Sequence, residues 1–294
     1  AVRPRHRCGP FRRSDISDAP IIPVRAGGFE PRELRRLEAM LIAYTREVSP
    51  ALADCELSHL EREPLDVAGA RAEHEAYESV LERLGAGVRR LPPTPLLPDG
   101  VFVEDAAVVL DDVAVITRPG APSRQPETAS VAAVLATHRP LVHVRAPATL
   151  DGGDVLVAGR SIYVGRSRRT TRDAILQLAD QLAPYGYDVI PVTFTGCLHL
   201  KSAVTRIAHD LMLLNPAWVE ADAFPGYRAL TIDPTEPHAA NALALGGAVI
   251  HPLQHVRTRA RLEAAGLTVV TVPQVELAKA EAGVTCCSLL VETG

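Results

Sequence analysis

Asp154-Val155-Leu156-Val157-Ala158-Gly159-Arg160-Ser161-Ile162-Tyr163-Val164 is a pair of short β-rich runs broken at Gly159-Arg160. Branched and aromatic side chains suit a half-buried pleated surface, and glycine suits the reversal between the runs. Downstream, the segment from Thr171 to Ala183 puts Ile175, Leu178 and Leu182 on one helical face, and Val189 to Val192 is extended again. The order is strand, strand, helix, strand.

That order recurs in both directions along the chain. Upstream, Val101 to Val109 and Val113 to Thr117 read as strands, Glu127 to Thr137 as a helix and Val142 to Arg145 as a strand. A weaker copy follows in Ser202 to Ile207, Leu211 to Leu214 and Arg228 to Ile232. The next comprises Asn241 to Leu245, Ala248 to His251, a helix from Val256 to Ala265 and Leu267 to Val272. Near the N-terminus one unit lacks its opening strand. It has a strand at Leu41 to Thr45, a helix capped by Asp66 that runs to Leu84 and stops at Gly85, and a strand at Val88 to Leu91. The extended run Thr285 to Glu292 at the other end could supply the missing strand. The expected fold is therefore α/β, a five-bladed α/β-propeller of repeated ββαβ units with pseudo-five-fold symmetry, closed by the C-terminal strand. An open α/β sheet with meandering connections is the alternative.

In such a ring, equivalent positions converge on the axis. Glu104 and Asp105 lie on one opening strand, and Asp151, His199 and Cys286 lie on or next to three others. A thiol, an imidazole and a carboxylate are the inventory of a cysteine nucleophile with its base and an orienting acid. The block Asp99-Gly100-Val101-Phe102-Val103-Glu104-Asp105 adds three carboxylates suited to gripping a small cation. Of the adjacent Cys286 and Cys287, strand alternation lets one face the axis.

Bulk composition narrows the class. The chain has 294 residues, 47% hydrophobic and 22% charged, enough to bury a full core. A net charge of -4 argues against nucleic acid or an anionic membrane as partner. No apolar run is long enough to span a bilayer. Five cysteines without C-x-x-C spacing fit neither a disulfide framework nor a zinc ribbon, which points to a reducing cytoplasm. No metal-ligand spacing and no glycine-rich phosphate loop is present, so neither a metal nor another cofactor is expected. Residues 1–35, opening with Arg3, Arg5, Arg7, Arg12 and Arg13 and lacking the apolar stretch of a secretory signal, read as a disordered or loosely packed extension. Residues 36–294 read as a single catalytic domain.

The strings Leu97-Pro98-Asp99-Gly100-Val101-Phe102-Val103-Glu104-Asp105, Ile116-Thr117-Arg118-Pro119-Gly120-Ala121-Pro122-Ser123-Arg124, Leu150-Asp151-Gly152-Gly153-Asp154, Leu198-His199-Leu200-Lys201-Ser202 and Thr285-Cys286-Cys287-Ser288 resemble those of the dimethylarginine dimethylaminohydrolases, in the guanidino-group-modifying superfamily. The resemblance implies hydrolysis of a guanidinium C–N bond of N-methylated arginine to citrulline and an amine. It implies Cys286 as nucleophile, in preference to Cys287, with His199 moving protons and Asp151 orienting the imidazole. Asp105 and Glu104 would hold the guanidinium, Arg124 and Arg169 the α-carboxylate, Asp99 the α-amino group, and Val48 would pack over the pocket mouth. Glu281 stands where a relative has Asp, and Lys201 replaces the carboxylate of the deiminases' His-x-Asp, which favours the methylarginine branch. Deiminase, dihydrolase or amidinotransferase activity on an unmethylated guanidino group is the alternative, and a binding module that has lost its chemistry is the competitor from another class. The implied partner is a small cationic amino acid, and a homodimer stays open.

Overall fold

The computed structural model describes residues 40–293, and the reading of residues 1–35 as an extension lies outside the described residues. Strands β1 (Met40–Thr45) and β2 (Gly87–Arg90) begin one sheet. The second sheet comprises β3 (Ala107–Val109), β4 (Ala114–Ile116) and β5 (Leu141–His143), and the third comprises β6 (Val155–Ala158), β7 (Ser161–Gly165) and β8 (Asp188–Val192). The fourth comprises β9 (Val204–Ala208), β10 (Leu211–Leu214) and β11 (Arg228–Thr231). The fifth comprises β12 (Leu243–Leu245), β13 (Ala248–Pro252) and β14 (Val269–Val272). The C-terminal β15 (Leu289–Thr293) returns to the first sheet, whose order is β15-β1-β2.

Every sheet repeats one pattern, an antiparallel pair followed by a parallel one. A parallel pair needs a crossover, which helices supply in four sheets. These are α1 (Val67–Arg83), α2 (Thr128–Leu135), α3 (Arg172–Leu182) and, after the short α4 (Leu200–Ala203) that precedes β9, α5 (Val256–Ala264). Between β10 and β11 the crossover holds a 3-10 turn, Ala221–Ala223, in keeping with the weaker helical signal there. Helix α1 starts where the sequence puts it: the Asp66 side chain accepts the Ala68 N–H at 2.9 Å, and Gly85 beyond its end takes φ +96°.

The closed five-bladed propeller expected from the sequence is corrected. Among the described residues, hydrogen bonding builds five separate, open three-stranded sheets, and no sheet is closed into a barrel or propeller. Side-chain packing joins the sheets. One buried cluster sets Val108 and Val115 of the second sheet against Ile162, Val164 and the Leu178 face of α3, and another sets Ile42 and Val291 of the first sheet against Ala114, Ile116 and Leu135. Burying a large aliphatic side chain contributes about 1.5–3 kcal/mol, so these seams can hold together sheets that share no ladder.

Two runs read as continuous strands are also corrected. Val101 to Val109 extends only over β3, and Thr285 to Glu292 gives way to β15 after a turn; 3-10 turns at Val103–Ala106 and Val284–Cys287 precede those strands. In them the Asp105 N–H reaches the Phe102 carbonyl and the Cys286 N–H the Gly283 carbonyl. Val101 and Val103 favour extended backbone, but complete burial in this bend overrides that preference. Comparable short turns, Gly152–Asp154 and α4, precede β6 and β9. The expected polar residues thus lie at the entrances to strands rather than along them. The strands they lead into line one cavity of about 860 Å³, with Val109, Val157, Ile207, Leu245 and Leu290 on its wall.

Replacing Asp66 by Ala should lower stability by about 1 kcal/mol through loss of the α1 cap. Urea unfolding followed by far-UV circular dichroism measures it.

Candidate active site

Asp151, the residue before the Gly152–Asp154 turn, and His199, the residue before α4, meet although they are 48 positions apart. His199 Nε2 lies 3.0 Å from Asp151 Oδ2, and its Nδ1 lies 3.8 Å from Asp105 Oδ1. All three side chains are buried. Burial opposes a charge on the ring, but the carboxylate of Asp105 and the hydrogen bond to Asp151 outweigh it and raise His199 to about 9. The imidazole is therefore protonated at neutral pH.

Asp105 is held from three sides. Its Oδ2 accepts from Arg124 Nη1 at 2.6 Å and its Oδ1 from the Gly153 N–H at 2.9 Å, with the imidazole beyond. Burial alone would push this carboxyl up, yet His199 and Arg124 hold it well below the usual carboxylate range. Asp154, also buried, caps α4 by accepting the Leu200 N–H at 3.0 Å and takes the Ser167 hydroxyl at 2.6 Å. Burial raises it to about 6. Its bond to Leu200 fixes the turn that begins with His199.

Glycines let these segments approach. A Cβ on Gly152 would lie 2.0 Å from the Glu104 carbonyl oxygen, and one on Gly153 would lie 2.5 Å from His199 Nδ1. The double glycine is thus a point of close contact among three strand entrances, those of β3, β6 and β9.

Cys286 is half-buried on its 3-10 turn, where the Gly283 N–H points at Sγ over 3.3 Å. Burial, then the carboxylates of Glu104 and Asp105, push its thiol up strongly. Cys287 is buried in the core formed with Tyr77 and Leu81. The turn, rather than strand alternation, separates the two sulfurs.

The remaining expected residues divide. Arg169 is buried; its Nη2 donates to Ser58 Oγ at 2.9 Å, its Nη1 stands 3.6 Å from Asp151 Oδ2, and Nη1 makes no hydrogen bond. Arg124 is fully committed, to Asp105, to Glu127 at 3.0 Å and to the Phe102 carbonyl. Asp99 is buried, accepts the Glu56 N–H at 3.1 Å and is raised by burial. Both oxygens of Glu104 are occupied, one by Lys201 Nζ at 2.6 Å and the other by Thr285 Oγ1 at 2.8 Å, and Glu104 and Lys201 also line the 860 Å³ cavity. Val48 is 2% exposed and packs with Leu52 and Tyr77. The segment that reaches the site is the one after Cys55. There Ser58 meets Arg169, and the N–H groups of Ser58, His59 and Leu60 donate to the Glu281 carboxylate.

Spacing along the chain gave no metal signal, but the fold brings ligand-type atoms of Asp105, Asp151 and His199 within 4.8 Å of one another. By donor type they could hold a divalent cation. Asp105 is nonetheless already matched by Arg124.

With this geometry, the chain's likenesses are specific. A family model described as Arginine deiminase matches residues 90–231. The N(G),N(G)-dimethylarginine dimethylaminohydrolase of Streptomyces coelicolor is 38% identical over 250 residues, 84% of this chain and 95% of the relative. This chain belongs to the dimethylarginine dimethylaminohydrolase family. The family member from Pseudomonas aeruginosa is 32% identical over 226 residues, covering 76% of this chain and 89% of that one. A solved structure of the Pseudomonas aeruginosa family member, a Cys-to-Ser mutant complexed with citrulline, superposes with a TM-score of 0.80 at 30% identity, over 86% of this chain and 100% of the other.

Sequence reasoning overlooked Asp154, Ser58, Glu127 and Asn241 as parts of the site. Asp154 lies inside a quoted motif, three residues after Asp151. Asn241, in an alanine-rich stretch, offers no local signal.

The raised His199 value carries a sign. Protonation favours the native state, so this stabilisation is complete below about pH 6.5 and is lost as pH rises through about 9, on the order of 3 kcal/mol in all. Urea unfolding at about pH 6 and about pH 9 should show the loss in the native chain and a smaller one in His199→Gln.

Proposed function

We propose that this chain hydrolyses N-methylated arginine to citrulline and the corresponding amine through a covalent intermediate on Cys286. The observation that carries the reading is the imidazole of His199 held between the carboxylates of Asp105 and Asp151, in a chain of this family.

A guanidinium is resonance-stabilised and stays protonated, so its carbon needs a strong nucleophile. The half-buried thiol faces carboxylates that disfavour a further negative charge. A cationic guanidinium arriving against Asp105 reverses that field, and the sulfur loses its proton to solvent. Attack forms a C–S bond. As the C–N bond breaks, the proton on His199 passes to the departing nitrogen, leaving a thiouronium and a neutral imidazole. That imidazole takes a proton from water attacking the same carbon. The C–S bond then breaks, the remaining hydroxyl proton passes to the departing sulfur, which restores the thiol, and citrulline leaves. Asp151 and Asp105 favour the charged ring at both ends of the cycle.

Nη1 of Arg169, which makes no hydrogen bond, is the donor we assign to the substrate α-carboxylate, with Asp99 facing the α-amino group. Arg124 is assigned to positioning Asp105, because its donors are already used. Glu104 acts through its bond to Thr285, beside the nucleophile. The small cationic amino acid is thus the partner. Among the described residues no helix is long and apolar enough to cross a membrane.

Incubation with asymmetric dimethylarginine, monomethylarginine and arginine, assayed for citrulline and for dimethylamine, methylamine or ammonia, tests the substrate class. Turnover of the methylated compounds well above that of arginine is expected. Arginine turned over best would move the chain to the deiminase reading, which the Arginine deiminase match makes the necessary comparison. Cys286→Ser should abolish turnover while citrulline still binds.

A further inference from the structure

Asn241 lies two residues before β12, in the fifth sheet, and is buried. No step above uses it. Its carboxamide grips the nucleophile turn twice: Oδ1 accepts the Thr285 N–H at 3.0 Å, and Nδ2 donates to Thr285 Oγ1 at 3.0 Å. Nδ2 also donates to the Lys201 carbonyl at 3.1 Å. Thr285 Oγ1 in turn donates to Glu104 Oε2, and Lys201 Nζ to Glu104 Oε1. The bonds close a circuit through Asn241, Thr285, Glu104 and Lys201, with each donor and acceptor used in its proper sense. Those four residues come from the entrances to β12, β15, β3 and β9.

The same side chain occupies the space over Gly283. A Cβ there would lie 2.2 Å from Asn241 Cγ, so Gly283 can approach only because it has none. Gly283 also points its N–H at Cys286 Sγ. Asn241 therefore touches the turn at two points ahead of the sulfur, at Gly283 and at Thr285, and makes no hydrogen bond to Cys286 itself. A buried amide with its oxygen and both its donors engaged has one orientation, and a turn fixed at two points has little freedom to swing.

We propose that Asn241 is the positioning residue of the nucleophile, setting the direction of Cys286 Sγ through Thr285 and Gly283. This rests on the reading of Cys286 as nucleophile. Misplacing a reacting atom by about 1 Å can cost about a hundredfold in rate, so the effect belongs in kcat rather than in substrate binding.

The test compares the purified full chain with Asn241→Ala, Thr285→Val, Thr285→Ser and Cys286→Ser, measuring kcat and KM for asymmetric dimethylarginine and the Kd for citrulline. Asn241→Ala and Thr285→Val should lose about a hundredfold in kcat, with KM and citrulline Kd within about threefold of the native chain. Thr285→Ser, which keeps the hydroxyl, should recover most of the loss seen in Thr285→Val. If Cys286→Ser is inactive while Asn241→Ala keeps kcat within about threefold, the positioning role is overturned and the nucleophile stands. Turnover by Cys286→Ser would instead overturn the nucleophile, and this proposal with it. Should Asn241→Ala fail to fold, the threonine pair decides: equal kcat in Thr285→Val and Thr285→Ser overturns the proposal.

Discussion

The buried contact between Asp105 and Arg124 is the constraint on which the site depends. A carboxylate taken out of water carries a penalty of several kcal/mol, and a partner repays it only where geometry is good and the remaining lone pairs are satisfied. Here one oxygen meets the guanidinium at 2.6 Å and the other meets a backbone N–H. The carboxylate therefore stays charged in the interior, and its charge keeps His199 protonated. Removing Arg124 would leave Asp105 and Glu127 without their common counter-charge. The ion pair is a condition of the chemistry more than a source of stability.

The architecture suits such a cluster. Each sheet is small and open, and each is preceded by a polar segment at one end. Short turns tolerate buried polar side chains because their own N–H groups provide partners, as Gly153 does for Asp105 and Leu200 for Asp154. A regular strand spends its N–H groups on the ladder and could not. The two turns that interrupt the expected strands are therefore what admits Asp105 and Cys286.

The repeating units were legible in the sequence because hydrophobic period and punctuation agree there: Asp66 and Gly85 bound α1, and Ile175, Leu178 and Leu182 mark the inner face of α3. The reach of the hydrogen bonding was not. Whether neighbouring sheets share a ladder or only a packed seam leaves no mark on local periodicity, so the closed ring was an overextension. Valines at 101 and 103 look like strand residues whether or not a bend follows. The motif residues Asp151, His199 and Asp105 could be named from their blocks, but the commitment of Arg124 to Asp105 and Glu127 depends on contacts made in space. The packing of Val48 against Leu52 and Tyr77 likewise depends on contacts made in space. Asn241 could not have been found at all, since its importance comes from Thr285, a residue 44 positions away.

Gly152 and Gly153 press one strand entrance against the Glu104 carbonyl and the His199 ring, with no room for a single added carbon. An attempt to reshape this enzyme for bulkier amidines therefore cannot begin at residues 152 and 153, where any side chain would displace Glu104 or His199. Libraries would do better to vary Ser58, whose side chain ends at a hydroxyl rather than at backbone, and to leave Arg169 in place.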